Sequence, residues 1–414
     1  MTYYLGIDFG TSGARAIAID ANGQTAAEAR CQYPTQEPDA DRWQQTLWSV
    51  ISQIDRQVRQ QIKAIAIDGT SATVLLCDRN HTPLTSPILY NDARGGIPTI
   101  PPITSPAHST TSSLAKALWW LNNLPAHVLS KAQYLVHQAD WLSSLLHGKP
   151  GISDYNNALK LGYEPQSLSY PDWLTCLKVA PWLPKVLAPG EIIGPIQPDV
   201  AQQLGLPEQC SIKTGTTDSI AAFLASGAHR PGDAVTSLGS TLALKLLSPV
   251  AITDTASGIY SHRLGNQWLV GGASNTGGAV LRHYFNDEEL NSLSQLIDPS
   301  QSSGLDYYPL LKPGERFPIN DPQLASKLSP RPADSVRFLH GLLESMAQIE
   351  ALGYQKLQDL GAGTIQQVYT AGGGAKNQAW QRLRSQALGI QIMPPLHTEA
   401  AYGTARLAAG LITK

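Results

Sequence analysis

The chain has 414 residues, 42% of them apolar and 15% charged, with a formal net charge of −2. That composition supplies cores for two or three domains and excludes a disordered chain, and without a basic block it lacks the footprint of a nucleic-acid partner. Four scattered cysteines without a CxxC pair argue against a disulfide framework or structural zinc, and an N-terminus with no signal-like pattern points to a reducing cytoplasm. In chain order, residues 3–8 read as a buried strand entering a Gly-rich turn at 9–13. Residues 14–20 form a second strand, and Asp20-Ala21-Asn22-Gly23 predicts a hairpin because Asn-Gly tolerates positive φ. A third strand runs through about 24–33. Trp43, Leu47, Val50, Ile51, Ile54, Val58 and Ile62 recur at helical spacing and predict one amphipathic helix over 43–62. Short apolar strands follow at 64–68 and 73–78, then a polar, Pro-rich loop over 97–113 and helical segments through 114–148. Residues 211–217 read as a strand feeding a loop, and 218–228 as a helix. After a break at Arg230-Pro231-Gly232-Asp233, a strand, a Gly turn and a strand return. A hairpin over 258–271 follows, around Leu264-Gly265-Asn266. The second half thus restarts with the meander of the first, and the α/β alternation divides into two domains near 226–232.

Small-residue turns stand where phosphate chemistry would use them. In Gly6-Ile7-Asp8-Phe9-Gly10-Thr11-Ser12-Gly13 the glycines let backbone N–H groups approach an anion, and the Thr11 and Ser12 hydroxyls add donors. A carboxylate at a strand end, here Asp8, holds Mg²⁺ through water in such sites. An ordinary hairpin turn would account for the same residues. Gly239-Ser240-Thr241 repeats the turn in the second meander. Gly372-Gly373-Gly374, after a short strand and before a helix starting near Gln378, offers backbone to an anion at a helix N-terminus. Asp218 reads either as a helix cap or as a general base at a cleft. Asp68-Gly69-Thr70-Ser71-Ala72 follows a strand's C-terminal end, where ligands bind in α/β sheets, and reads as a β-turn or as sugar-binding hydroxyls. No GxxxxGK[ST], HExxH or GxSxG occurs, so P-loop, zinc-protease and serine-hydrolase chemistry have no anchor.

Taken in order, GIDFGTSGARAIAID, AIAIDGTSATVLLCD with PILYNDARG, SSLAKALWWLNN, GTTDSIAAFLASGA, VTSLGSTLALKL, GGASNTGGAVLRHYF and YTAGGGAKNQAWQRLRSQALGIQI resemble the FGGY family of carbohydrate kinases over nearly the whole chain. DGTSATVLLCD and LYNDARG look most like its cyanobacterial and plant branch of ribulokinase- and xylulokinase-like proteins. The resemblance implies an α/β protein of two actin-like or ribonuclease-H-like lobes with a cleft between them. Residues 1–228 would form the sugar-binding lobe, with 399–414 packing back on it, and 229–398 the nucleotide-binding lobe. It implies ATP with Mg²⁺, Asp218 as catalytic base, and Asp8 beside the metal and the transferring phosphate, both touching the substrate. Thr11 and Ser12 match the first phosphate loop, Gly239, Ser240 and Thr241 the second. Gly372, Gly373, Gly374 and Asn377 match the adenosine loop, with Trp380 placed to cover the adenine. Arg15 stands where the family often has lysine. Gly69-Thr70-Ser71-Ala72 replaces the Gln-Met-His-Gly of xylulokinases. That makes Ser71 the expected sugar contact and puts D-ribulose ahead of D-xylulose. The expected partners are a small sugar and ATP, with no nucleic acid and no membrane. A non-catalytic sensor and an actin- or chaperone-like ATPase are the rivals. Asp8 and Asp218 together speak against the first, and the Thr-Ser loop with the NDARG segment against the second.

Overall fold

Leu5, Ile7 and Phe9 alternate along the strand Tyr3–Phe9 (β1) and turn one face into the core. β1 pairs antiparallel with Gly13–Asp20 (β2), which pairs antiparallel with Thr25–Gln32 (β3). The turn between β2 and β3 forms as its sequence predicts: Asp20 Oδ1 accepts from the N–H groups of Asn22 (2.8 Å) and Gln24 (2.9 Å), and Gly23 has φ 83°. On its other edge β1 runs parallel to Ile62–Gly69 (β4), with Asp8 opposite Asp68. Ser211–Lys213 and then Ile192–Pro195 extend the sheet, and the short strand Thr216–Thr217 pairs with the end of β4, Thr216 opposite Asp68.

The computed structural model describes residues 1–33 and 39–411; residues 412–414 of the segment expected to pack back lie outside these. The chain divides into two units, Met1–Ala225 with Glu399–Lys414, and Ser226–Thr398. In the first, one sheet face packs against the helices Ala40–Ser52 and Gln138–His147, the other against Ala400–Ala409. That last helix lies so close that Cβ atoms on Gly6 or Gly403 would overlap backbone of Ala405 and Ala221. Gly403→Ala is therefore expected to cost about 1–3 kcal/mol through overpacking. Chemical denaturation measures it, and an unchanged midpoint would contradict the close approach.

The predicted 43–62 helix is corrected. It ends at Ser52; Asp55 caps a separate turn, Arg56–Arg59, by accepting from Gln57 N–H (2.7 Å), and Ile62 already belongs to β4. Val58 and Ile62 continue the apolar spacing, but the Asp55 cap restarts the backbone ahead of them. The 114–148 stretch is likewise broken: between the helices Ser113–Asn123 and Gln138–His147 lies a strand, Tyr134–His137, paired with Val74–Cys77.

The second unit repeats the meander. Its sheet runs Tyr260–Leu264, Gln267–Ser274, Leu242–Ser248, Asp233–Leu238, Gln367–Ala371, Ile392–Met393, and only the last two join in parallel fashion. Inside it lies a buried ion pair. Arg384, on the helix Gln378–Leu388, donates from Nε and Nη2 to Glu350 (2.5 and 2.7 Å), on Ser335–Asp359, and from Nη1 to Thr370 Oγ1 (2.7 Å). Thr236 Oγ1 donates to the same carboxylate (2.5 Å) and shares a hydrogen bond with Tyr354 (2.8 Å). Two helices and two strands are thus fastened at one point. Among the described residues no helix is long and apolar enough to cross a membrane.

Candidate active site

Three carboxylates meet at one edge of the first unit's sheet. Parallel pairing puts Asp8 and Asp68 in register, and Thr216 opposite Asp68 carries the chain two residues on to Asp218, the first residue of the helix Asp218–Ser226. Asp68 is fully buried. Its Oδ2 accepts from Thr404 Oγ1, on the C-terminal helix, while its buried Oδ1 has no donor directed at it. Burial above all, and then the Asp8 charge, push the Asp68 carboxyl well above the usual carboxylate range. The proton so retained gives the orphan oxygen a use, since Asp68 then donates to Asp8. Asp8 is also raised, by burial and by the Asp218 charge, but the bond from Asp68 and the Arg15 charge pull it back down. Of the two carboxyls, Asp68 is held the further above the usual range. Asp218 Oδ1 accepts from Ser219 N–H (2.6 Å).

This pairing has a consequence for stability. The folded protein keeps a proton on Asp68 that an unfolded chain gives up near pH 3.9. The group's favourable contribution is therefore complete below that pH and drains away as pH rises toward its folded value. Asn in its place offers the same pattern, an N–H toward Asp8 and a carbonyl toward Thr404, with nothing to ionise. Asp68→Asn should thus be more stable than wild type at neutral pH, and the gap should widen between pH 4 and 8. Urea unfolding at several pH values measures it; a gap that stays flat or shrinks would contradict a protonated Asp68.

The turn after β4 is held almost completely. Thr70 donates from N–H and hydroxyl to Gln138 Oε1 (both 3.1 Å), and its hydroxyl also bonds that of Thr73 (2.6 Å). Thr73 Oγ1 accepts from Tyr90 N–H (3.0 Å). Ser71, half-buried at the tip, is the turn's one hydroxyl with no partner among the described residues. Thr11 and Ser12 are exposed in the β1–β2 turn, where Gly10 N–H donates to Gly13 O (3.0 Å). Arg15 forms an ion pair with Glu399 at the start of the C-terminal helix.

The second unit holds a cavity of about 1040 Å³. Gly239, Ser240, Gly373, Gly374, Asn377 and Trp380 line it; Thr241 and Gly372, expected beside them, do not. Gly372 (φ 85°) and Gly374 are required by packing, since a Cβ on either would stand 2.7 Å from Leu238, whereas Gly373 faces open space. Two of the three glycines therefore answer to the fold and one to the cavity. Asn377 caps the helix Gln378–Leu388 through Trp380 N–H (3.0 Å), and its Nδ2 donates to Ser294 Oγ (2.8 Å). Trp380, expected to cover an adenine, meets the cavity only at its wall. The ring is only 2% exposed and belongs to the hydrophobic core, so it backs the cavity wall behind Gly374. Arg282, not singled out by sequence reading, lines the cavity and donates to Ser240 Oγ (3.0 Å).

The models for the N-terminal and C-terminal domains of the FGGY family of carbohydrate kinases match residues 3–225 and 234–411. A gluconokinase of Bacillus subtilis is 24% identical, covering 97% of this chain and 85% of its own length. A xylulose kinase of the same organism is 23% identical, over 99% and 88%. A solved structure of a xyloylose kinase from Brucella ovis superposes with a TM-score of 0.86 at 23% identity, covering 99% of this chain and 90% of that one. A Plasmodium falciparum glycerol kinase with ADP gives 0.84 at 16% identity, covering 100% and 93%. The shared fold is a two-domain α/β architecture.

Proposed function

Because this chain belongs to the FGGY family of carbohydrate kinases, and is by that membership a sugar kinase, we propose that it transfers the γ-phosphoryl group of ATP to a primary hydroxyl of a ketopentose, D-ribulose first. The observation that carries the reading is the unpartnered Ser71 hydroxyl, at the same sheet edge as Asp8 and Asp218. A sugar brings hydroxyls that both donate and accept, and carboxylates beside a free serine meet that need. Asp218 accepts the proton of the attacking hydroxyl. Asp8, whose carboxylate the bond from Asp68 favours, orients the metal-bound phosphates.

The protein side fits a magnesium nucleotide. Among the described residues no group of three or more His, Cys, Asp or Glu side chains is placed to hold a metal ion. One or two carboxylates, with phosphate oxygens and waters completing the shell, is how Mg²⁺ is usually bound. When bound, the ion supplies charge compensation on the β- and γ-oxygens. In the second unit Gly239, Ser240 and Gly373 offer backbone and hydroxyl donors to phosphates, with Gly374 and Asn377 on the nucleoside side and Thr241 and Gly372 shaping the turns. Thr11 and Ser12 are the first unit's phosphate donors. Transfer then rests on alignment and electrostatics more than on covalent help from the protein.

Gly69-Thr70-Ser71-Ala72 in place of Gln-Met-His-Gly favours D-ribulose, and the similarity to xylulose kinases makes D-xylulose the competitor. An ADP-release assay on D-ribulose, D-xylulose, gluconate and glycerol tests the choice. The highest kcat/KM is expected on D-ribulose; a clear preference for another member of the panel overturns it.

A further inference from the structure

The helix Ser113–Asn123 buries a lysine. Lys116 is 0% exposed, and its ammonium forms no salt bridge among the described residues. Asp92, the carboxylate whose charge attracts it, is engaged by Arg94 (2.9 Å from Nε). Methionine would fill similar space without taking a charge out of water, so packing alone gives no reason for lysine here. What Lys116 does is donate to two carbonyls from two segments: Ala72 O (2.6 Å) and Thr111 O (3.0 Å).

Ala72 ends the tip of the turn that carries Ser71. Among the described residues it is one of three non-glycine residues with positive φ, at 65°. The left-handed region is unfavourable for an L-residue, so the conformation persists only where neighbours impose it. The Lys116 ammonium on the Ala72 carbonyl is such a restraint. From the other side Gln138 holds Thr70, and Ser113, at the start of the same helix, bonds His137 Nε2 (3.1 Å), which fastens the helix to the strand leading into Gln138.

We propose that Lys116 is a positioning residue for the sugar, clamping the Ala72 and Thr111 carbonyls so that the 69–73 turn presents the Ser71 hydroxyl in one orientation. The inference rests on the reading above that this turn touches the sugar. Burial lowers the ammonium to about 7. A lysine that loses its proton near neutrality still donates two N–H bonds, which is all the clamp uses.

Lys116→Met, Lys116→Gln and Ser71→Ala test it, assayed for kcat and both KM values on the best sugar of the panel, with thermal unfolding alongside. Lys116→Met should raise the sugar KM about tenfold, the scale of one bond lost from a binding surface, with ATP KM and kcat within about threefold of wild type. Lys116→Gln keeps a donor and should fall between. If the methionine variant does not fold, the glutamine variant carries the test by the same split. A sugar KM unchanged in the folded variants, or a parallel loss in sugar KM, ATP KM and kcat that follows the fall in Tm, overturns the positioning role. Ser71→Ala separates the two ideas. If it raises the sugar KM while Lys116→Met does not, only the clamp fails. If it leaves the sugar KM unchanged, the turn does not touch the sugar, and the reading beneath the clamp fails with it.

Discussion

Asp218→Asn is expected to lower kcat by about 10²–10⁴-fold, the range a positioned general base contributes. The substitution keeps the size of the side chain and its acceptor toward Ser219 N–H, so the helix start is preserved. What it removes is the ability to take a proton as the hydroxyl attacks. It also removes a negative charge that raises both Asp8 and Asp68. Asp8 should then ionise more readily, so metal-nucleotide binding has no reason to weaken. Steady-state kinetics with D-ribulose measure the drop. Turnover within a few-fold of wild type would mean that Asp218 serves only to begin its helix.

The largest stability effect is expected at Arg384. Replacing it by Met leaves Glu350, 0% exposed, as a buried charge with only neutral donors around it. Breaking a buried pair by removing one partner costs about 3–5 kcal/mol, a large part of the roughly 5–15 kcal/mol that holds most domains folded. Changing both, Glu350→Leu with Arg384→Met, should recover part of the loss because the desolvated charge goes too. Recovery stays incomplete, since the Thr370 hydroxyl loses its Arg384 donor and Thr236 keeps only Tyr354. Urea unfolding of the single and double variants reads both numbers. A single variant within 1 kcal/mol of wild type, or a double variant worse than the single, would contradict this view of the pair. Arg384 lies on the helix that Asn377 caps, so its loss should also loosen the cavity wall.

Local chemistry was the most legible part of the sequence. Asp20 and Gly23 specify their turn with contacts no more than four residues apart. The two meanders could be read because strand alternation and glycine turns are also local. The over-long 43–62 helix shows the limit: Ile54, Val58 and Ile62 keep helical spacing, while Asp55 caps a new turn and Ile62 pairs with Tyr3. The strand Tyr134–His137 was hidden because an apolar run of four looks alike in a helix and in a buried strand.

The site divides along the same line. Asp8 and Asp218 stood out through their motifs. Asp68 read as a turn residue because its role depends on Thr404, 336 positions away. Lys116 carried no assigned role within SSLAKALWWLNN; its partner Ala72 is 44 positions back. Trp380 was placed over a nucleotide by analogy, and only burial shows that it belongs to the core. Residues whose function depends on distant partners cannot be read from spacing, whatever family the chain resembles.

Phosphoryl transfer as proposed depends on proton transfer to Asp218, and a single-turnover experiment reaches that step directly. Enzyme in excess is mixed with limiting ATP and saturating D-ribulose, and phosphorylated sugar is quenched and counted over time, for wild type and Asp218→Asn. The variant's single-turnover rate is expected to fall as far as its kcat does, while titrations show both substrates bound within a few-fold of wild type. A single-turnover rate equal to wild type would place Asp218 in product release and contradict its role as the base.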